Sequence, residues 1–181
     1  MNISGPDMPE VIPDELAGRI AIVTGAGRGM GRAVATRLAK AGASVAVNDL
    51  APDTAADTTE SIIADGGNAI TIAGDVSNSA FVDSLVDRAV SEFGHISILA
   101  NAAGILRRTA VIDMGEDEWD LVLNVNLKGT FLPSKAVLRS MRQSGWGRIV
   151  NFSSTAGKTT STLGGAHYTA SKHAVLGLTR H

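Results

Sequence analysis

A doubly wound α/β domain built on a parallel sheet is the fold the sequence predicts, and three observations carry it. Short apolar runs alternate with helical stretches along residues 17–181. A glycine-rich turn, "TGAGRGMG", follows the first of those runs directly. No internal repeat, low-complexity tract or linker splits the pattern, so the 181 residues read as one domain behind a loose, proline-bearing lead-in over residues 1–16.

The elements follow in order. Residues 19–24 are a short buried strand, and residues 30–41 a helix with Val34 and Leu38 one turn apart, ended by Gly42. Residues 44–49, "SVAVND", are the second strand; an Ala- and Thr-rich helix spans residues 54–65 and the pair Gly66 and Gly67 closes it. Residues 68–73 form the third strand. In the next helix Val82, Leu85, Val86, Ala89, Val90 and Phe93 recur at three- and four-residue steps, which predicts a core-facing stripe. Residues 96–100 are the fourth strand, residues 116–143 one long helix, residues 148–152 the fifth strand, and a last helix starts near His167. Strands and helices so alternated imply right-handed crossovers and a sheet covered on both faces.

Composition removes several function classes. A net charge of -2 gives no electrostatic case for nucleic acid or acidic membranes. The absence of cysteine rules out disulfides, thiolate metal sites and cysteine nucleophiles, and suits a reducing cytoplasm. The first 18 residues hold acids and three prolines without a basic start before an apolar segment, so no signal peptide is expected. No apolar run is long enough to cross a bilayer. His95, His167, His173 and His181 do not cluster with carboxylates in a metal-binding pattern and are expected on the surface or as plain helix residues. No serine stands in a GxSxG elbow.

Gly25, Gly27, Gly29 and Gly31 fall within eight residues, after a strand and at the start of a helix. There exposed backbone N–H groups and a helix N-terminus can meet a pyrophosphate, and a side chain would hold the phosphates away. An acid, Asp49, ends the second strand about 20 residues on, where a ribose hydroxyl is bound in dinucleotide sites. Met30 occupies the place of the third glycine in GxGxxG counted from Gly25, so the spacing that fits is GxxxGxG over Gly25, Gly29 and Gly31. Asp49 favours NAD, because a carboxylate accepts bonds from a 2′-hydroxyl and repels a 2′-phosphate. Arg28 pulls toward NADP. Asp49 and Asp75 also admit plainer readings, as a solvated strand-end acid and as the cap of the helix that follows.

"YTASK" puts Tyr168 and Lys172 on one helix face. A free tyrosine keeps its proton to about pH 10, and lowering that to about 7 takes roughly 4 kcal/mol of preferential phenolate stabilisation. A neighbouring ammonium, together with the positive nicotinamide of an oxidised cofactor, can supply a good part of it. Such a pair also arises by chance on many helices, so its company matters.

Thr24 with the GxxxGxG spacing, Asp75 and Val76 in "GDVS", "LANAAG" at residues 99–104, "NVNLKGTF" around Asn126, "FSSTAG" and "YTASK" stand in one order along the chain. In that order they resemble the classical short-chain dehydrogenase/reductase family, whose fold is Rossmann-like. The resemblance implies hydride exchange between a nicotinamide and a secondary alcohol or ketone. Asp75 would lie near the adenine, with Val76 beside it, and Asn101, Ala102, Ala103 and Gly104 would form the turn on the adenine side, Ala102 replacing the family's second Asn. Tyr168 would be the acid or base and Lys172 would tune it. Ser154 would position the substrate oxygen, and Asn126 would hold a water that completes a proton relay. Ser154 lies fourteen residues before Tyr168, one more than expected, which implies a small insertion in "TAGKTTSTLGG" and keeps Ser153 open.

Relatives continue for about another third of their length, so the fifth strand is expected as a sheet edge, without the last strands of the family fold, with an incomplete substrate pocket. A truncated dinucleotide-binding module without turnover is the alternative function. A methyltransferase is disfavoured by the Tyr-Lys pair. Self-association as a dimer or tetramer through the long and final helices is implied as well. Leu106, Arg107 and Arg108 either form a positive lip that favours an acidic or carrier-linked substrate or are simply solvated.

Overall fold

The computed structural model describes residues 12–159 and 164–181. Five parallel strands, β1 (Ile20–Thr24), β2 (Ser44–Val47), β3 (Asn68–Thr71), β4 (Ile98–Asn101) and β5 (Arg148–Asn151), pair in the order β3-β2-β1-β4-β5. Helices α1 (Gly29–Lys40), α2 (Pro52–Ala64), α3 (Ser79–Phe93), α4 (Glu116–Leu123), α5 (Gly129–Ser144) and α6 (Ala166–Arg180) supply the crossovers. This is the Rossmann-like doubly wound architecture expected from the alternation of elements. The chain runs outward from β1 to β3, then returns to place β4 on β1's other side. The carboxyl ends of β1 and β4 therefore flank the switch point where such sheets bind ligands.

Both faces of β1 are buried, so all five of its residues are shielded from water. Ala21 and Val23 face a core shared with Ala35, Ala39, Val45, Val47 and Ile62, which are contributed by α1, β2 and α2. Ile20 and Ile22 face the other core, with Leu85, Val86 and Ala89 of α3 and Val137 and Met141 of α5. Continuous apolar strands are what two covered faces require.

Strand ends differ from the sequence expectation because burial outlasts pairing. Ile96 is fully buried, yet its N–H bonds the Ser140 hydroxyl at 2.9 Å, and the ladder of β4 begins only at Ile98. Asn48 and Ile72 are likewise buried just past β2 and β3. In α3, Val90 is exposed while Val82, Leu85, Val86 and Ala89 are buried, since position 90 lies at the margin of the 3.6-residue stripe. The predicted long helix runs from Glu116 to Ser144 but carries a π-turn at Asn124–Lys128 between α4 and α5.

Of the proline-bearing lead-in, residues 1–11 lie outside the described residues, and its end is docked. Leu16 packs against the α1 and α2 core and its N–H donates to Ala41 O at 2.7 Å. Of residues 155–165, where a small insertion is expected, residues 160–163 lie outside the described residues. β5 stands at the sheet edge as expected, and Val150 there is 53% exposed. Among the described residues no helix is long and apolar enough to cross a membrane.

Candidate active site

The glycine turn closes on itself at the end of β1. Gly31 has no room for a side chain, because a Cβ would collide with the Gly25 carbonyl oxygen and come within 2.7 Å of its carbon. Gly25 is in turn pressed on the β4 turn, 2.6 Å from Ala103 Cα to its would-be Cβ. The Thr24 hydroxyl, buried beneath, accepts the Ala103 N–H at 3.3 Å. Gly29 differs: it takes φ +56° with nothing within 4 Å of where a Cβ would stand. The first turn of α1 thus starts in left-handed backbone with open space beside it, a cradle shaped for close approach to its free N–H groups. Arg28, in extended backbone, and Met30 are exposed, so whatever they contribute to the turn comes from their backbone or from the reach of their side chains.

Asp49 reaches back to this turn. Its Oδ2 accepts the Gly27 N–H at 2.9 Å and its Oδ1 the Ala51 N–H at 3.1 Å. Each carboxylate oxygen keeps a second lone pair for a hydroxyl donor. The arrangement suits the adenosine ribose of a dinucleotide. Asp75 is exposed and accepts the Ser77 N–H at 2.8 Å; Asn78, not Asp75, caps α3 by accepting the Phe81 N–H at 3.2 Å. The capping alternative for Asp75 is thereby corrected: α3 starts too late for Asp75 to reach its N-terminus. Val76 is buried and a Cβ on Gly129 would come within 2.8 Å of it, which ties the β3 turn to the π-turn.

Of the "LANAAG" turn, Asn101 points inward. Its amide donates to Asn151 Oδ1 at 2.8 Å and Ser134 Oγ at 3.0 Å, bracing β4 to β5 and α5. Ala102 and Ala103 are half-buried against the glycine turn and Gly104 is exposed. A Cβ on Gly104 would lie 3.3 Å from Asn126 Oδ1 and 3.6 Å from Lys172 Nζ. The turn therefore joins the glycine loop on one side to the Tyr-Lys helix on the other.

Asn126 sits in the π-turn, fully buried. Its Oδ1 accepts the Ile105 N–H at 2.8 Å, and its amide donates to Ile105 O at 3.0 Å and Ser171 Oγ at 3.1 Å. The extra residue of a π-turn commonly marks a functional position, and here it swings the amide under the β4 turn. Ser171 passes the link on, donating to Tyr168 O at 2.7 Å. Lys172 is 6% exposed, its Nζ donates to Phe152 O at 2.7 Å and stands 5.8 Å from the Tyr168 ring centre. Burial of its ammonium pulls the Lys172 pKa below the usual lysine value. Ser153 donates to Lys172 O at 2.8 Å, so that hydroxyl fastens β5 to α6. Ser154 uses its oxygen to accept the Ala156 N–H at 3.2 Å, and its own proton remains the one it can donate.

Three partners were not read from the sequence. Ser171 lies inside the "YTASK" pattern, and a serine in mid-helix is a signal worth following. Phe152 acts through a main-chain carbonyl, which no residue type announces. His167 corrects the expectation of a surface or plain helix residue: its side chain is wholly buried, with Nε2 2.8 Å from Glu118 Oε1. Among the described residues no group of three or more His, Cys, Asp or Glu could hold a metal ion.

The dinucleotide that the family pattern implies is matched by residues present: an open glycine cradle at a helix N-terminus, a carboxylate held at the end of β2, and a buried lysine beside the β4 turn. The short chain dehydrogenase family model matches residues 19–181. The chain is 46% identical over 161 residues to the Short-chain reductase protein NovJ of Streptomyces niveus, covering 89% of this chain and 61% of that protein. It is 42% identical over 166 residues to a 3-oxoacyl-[acyl-carrier-protein] reductase of Synechocystis sp., covering 91% and 67%. It is 39% identical over 170 residues to a 2-dehydro-3-deoxy-D-gluconate 5-dehydrogenase of Dickeya dadantii, covering 91% and 64%. The chain thus spans a little under two thirds of the length of most such relatives, and over nearly all of its own length it belongs to the short chain dehydrogenase family.

Proposed function

We propose that the protein is a nicotinamide-dependent oxidoreductase acting on a secondary alcohol or ketone, with Tyr168 as general acid or base. The observation that carries this reading is the buried Lys172 ammonium one helical turn from Tyr168, beside the β4 turn that touches the glycine loop. The Gly25–Gly31 turn, with Arg28 and Met30 at its rim, would hold the pyrophosphate. Asp49 would hold the adenosine ribose, and Asp75, Val76 and Ala102–Gly104 would border the adenine. Tyr168 and Lys172 would also bind the nicotinamide ribose. When bound, the nicotinamide supplies the hydride chemistry. Tyr168 moves the proton at the substrate oxygen, Ser154 donates a hydrogen bond to that oxygen, and Lys172 favours the phenolate by its charge. Asn126 holds the β4 loop and Ser171 through its side chain, so a relay water between Lys172 and solvent would have to use a remaining lone pair of its oxygens. The names of the relatives, a 3-oxoacyl reductase and a sugar-acid dehydrogenase, support a substrate carbon that carries hydroxyl or carbonyl.

The test is absorbance change of NAD or NADP with a panel of secondary alcohols and ketones. Nucleotide binding without turnover, unchanged in Tyr168→Phe, would favour the binding module instead. NAD is the proposed cofactor, since the Asp49 carboxylate faces the Gly27 N–H where a 2′-phosphate would be repelled. In Asp49→Ala the ratio of NAD to NADP affinity is expected to fall at least about tenfold, or about 1.4 kcal/mol. An unchanged ratio in titrations of both nucleotides would remove Asp49 from cofactor choice.

Self-association is proposed through the helix of residues 116–144. Phe131 and Leu138 are 44% and 47% exposed and seven residues apart, hence on one face. Light scattering at micromolar concentration is expected to give a mass of two or more chains; the mass of one chain would refute it.

A further inference from the structure

Helix α6 begins just before Tyr168, and its first N–H groups need partners from outside the helix. Gly165, at the N-cap, has no side chain to provide one. The Tyr168 N–H finds His167 Nδ1 at 2.8 Å. An N–H donates only to a lone pair, so Nδ1 is unprotonated and the ring proton sits on Nε2. That Nε2–H donates to Glu118 Oε1 of α4 at 2.8 Å. The imidazole, wholly buried, is thus held at both nitrogens in one neutral tautomer.

The far end of the link is anchored too. The Glu118 carboxyl is drawn below its usual pKa by the Thr109 hydroxyl first and by His167 second. Gly165 donates its N–H to Arg107 O at 2.8 Å, and a Cβ there would come within 2.6 Å of His167 Cε1 and 2.9 Å of Thr109 O. The loop after β4, the first turn of α4 and the first turn of α6 therefore meet around one imidazole.

We propose that Glu118 and His167 form a positioning brace that sets the first turn of α6, and with it the direction of Tyr168, relative to the loop after β4. The proposal rests on Tyr168 carrying the proton. Neither brace residue is a catalytic residue; both act through the backbone of Tyr168. A reacting group displaced by about 1 Å can lose about a hundredfold in rate, so a brace at this point has leverage.

The experiment compares the full chain with His167→Leu, Glu118→Ala, Glu118→Gln and Tyr168→Phe. Nitrogen-15 NMR reads the His167 tautomer, and the ring-proton signals of Tyr168, the single tyrosine, read its setting without any turnover. Expected are the Nε2–H tautomer, shifted or broadened Tyr168 signals in His167→Leu and Glu118→Ala, and near-native signals in Glu118→Gln, whose side-chain carbonyl still accepts from Nε2–H. In turnover, His167→Leu and Glu118→Ala are expected to lose about tenfold or more in kcat with NAD affinity within about twofold, and Glu118→Gln to stay within about threefold. A protonated Nδ1, unmoved Tyr168 signals in His167→Leu, or native kcat in that variant while Tyr168→Phe is inactive would overturn the brace alone. Full turnover in Tyr168→Phe would overturn the reading on which it stands, and the brace's catalytic role with it.

Discussion

Tyr168→Phe is expected to lower turnover by about 10² to 10⁴ with a far smaller fall in NAD affinity, because it deletes the hydroxyl that moves the proton, and with it one contact to the nicotinamide ribose, but nothing from the glycine turn. Proton transfer by a positioned side chain is worth that much, and the phenyl ring keeps the packing of a half-buried position. Steady-state rates with each nucleotide, beside equilibrium binding, are the measurement. A variant that turns over at the native rate would leave the Tyr-Lys pair without a role.

Lys172→Met is the companion experiment and separates charge from packing. The Lys172 ammonium is buried at a desolvation cost, with the Phe152 carbonyl as its close partner. Methionine fills similar space without that cost, so turnover is expected to fall while stability is kept or rises by on the order of 1 kcal/mol. The pH dependence has a definite sign. With the folded pKa below 10.5, the unfolded chain binds more protons between the two values, so the destabilisation is full below the folded pKa and is relieved as pH rises toward 10.5. Lys172→Met should remove that rise from denaturation curves taken across the alkaline range.

Gly31→Ala carries the second large effect. The new Cβ would press on the Gly25 carbonyl, and Gly25 cannot retreat because Ala103 of the β4 turn lies behind it. Overpacking backbone against backbone costs about 1–3 kcal/mol or more. For a chain of this size that corresponds to roughly 2–12 °C in Tm. Moving the start of α1 also displaces its free N–H groups, so NAD affinity is expected to fall at least about a hundredfold. Gly29→Ala is the control. It meets no atom within 4 Å but must hold φ +56°, which costs an alanine about 1–2 kcal/mol. Thermal melts should therefore place Gly31→Ala at or below Gly29→Ala, while nucleotide affinity falls in both because a Cβ on Gly29 would stand in the cradle; a Gly31→Ala chain that melts above Gly29→Ala would refute the steric account.

Several parts of the site were legible because each depends on a short stretch of chain. The glycine turn announces itself by composition, Asp49 by its distance from that turn, and Tyr168 with Lys172 by one helical turn of spacing. The inward turn of Asn101 was not legible, because its partners Ser134 and Asn151 stand 33 and 50 residues away. His167 was passed over for a similar reason. Its neighbours in sequence say nothing of Glu118, 49 residues upstream, whose carboxylate makes a wholly buried imidazole tolerable.

From the sequence by itself came the alternation of strands and helices, the two-sided burial of β1, and the order of the motifs, all consequences of local periodicity and backbone freedom. Only the tertiary structure decided that β4 lies against β1, which strand ends face the Tyr-Lys helix, and where each polar side chain finds its partner. Those outcomes depend on contacts between segments far apart in the chain, and the pattern within any one segment is compatible with more than one such pairing.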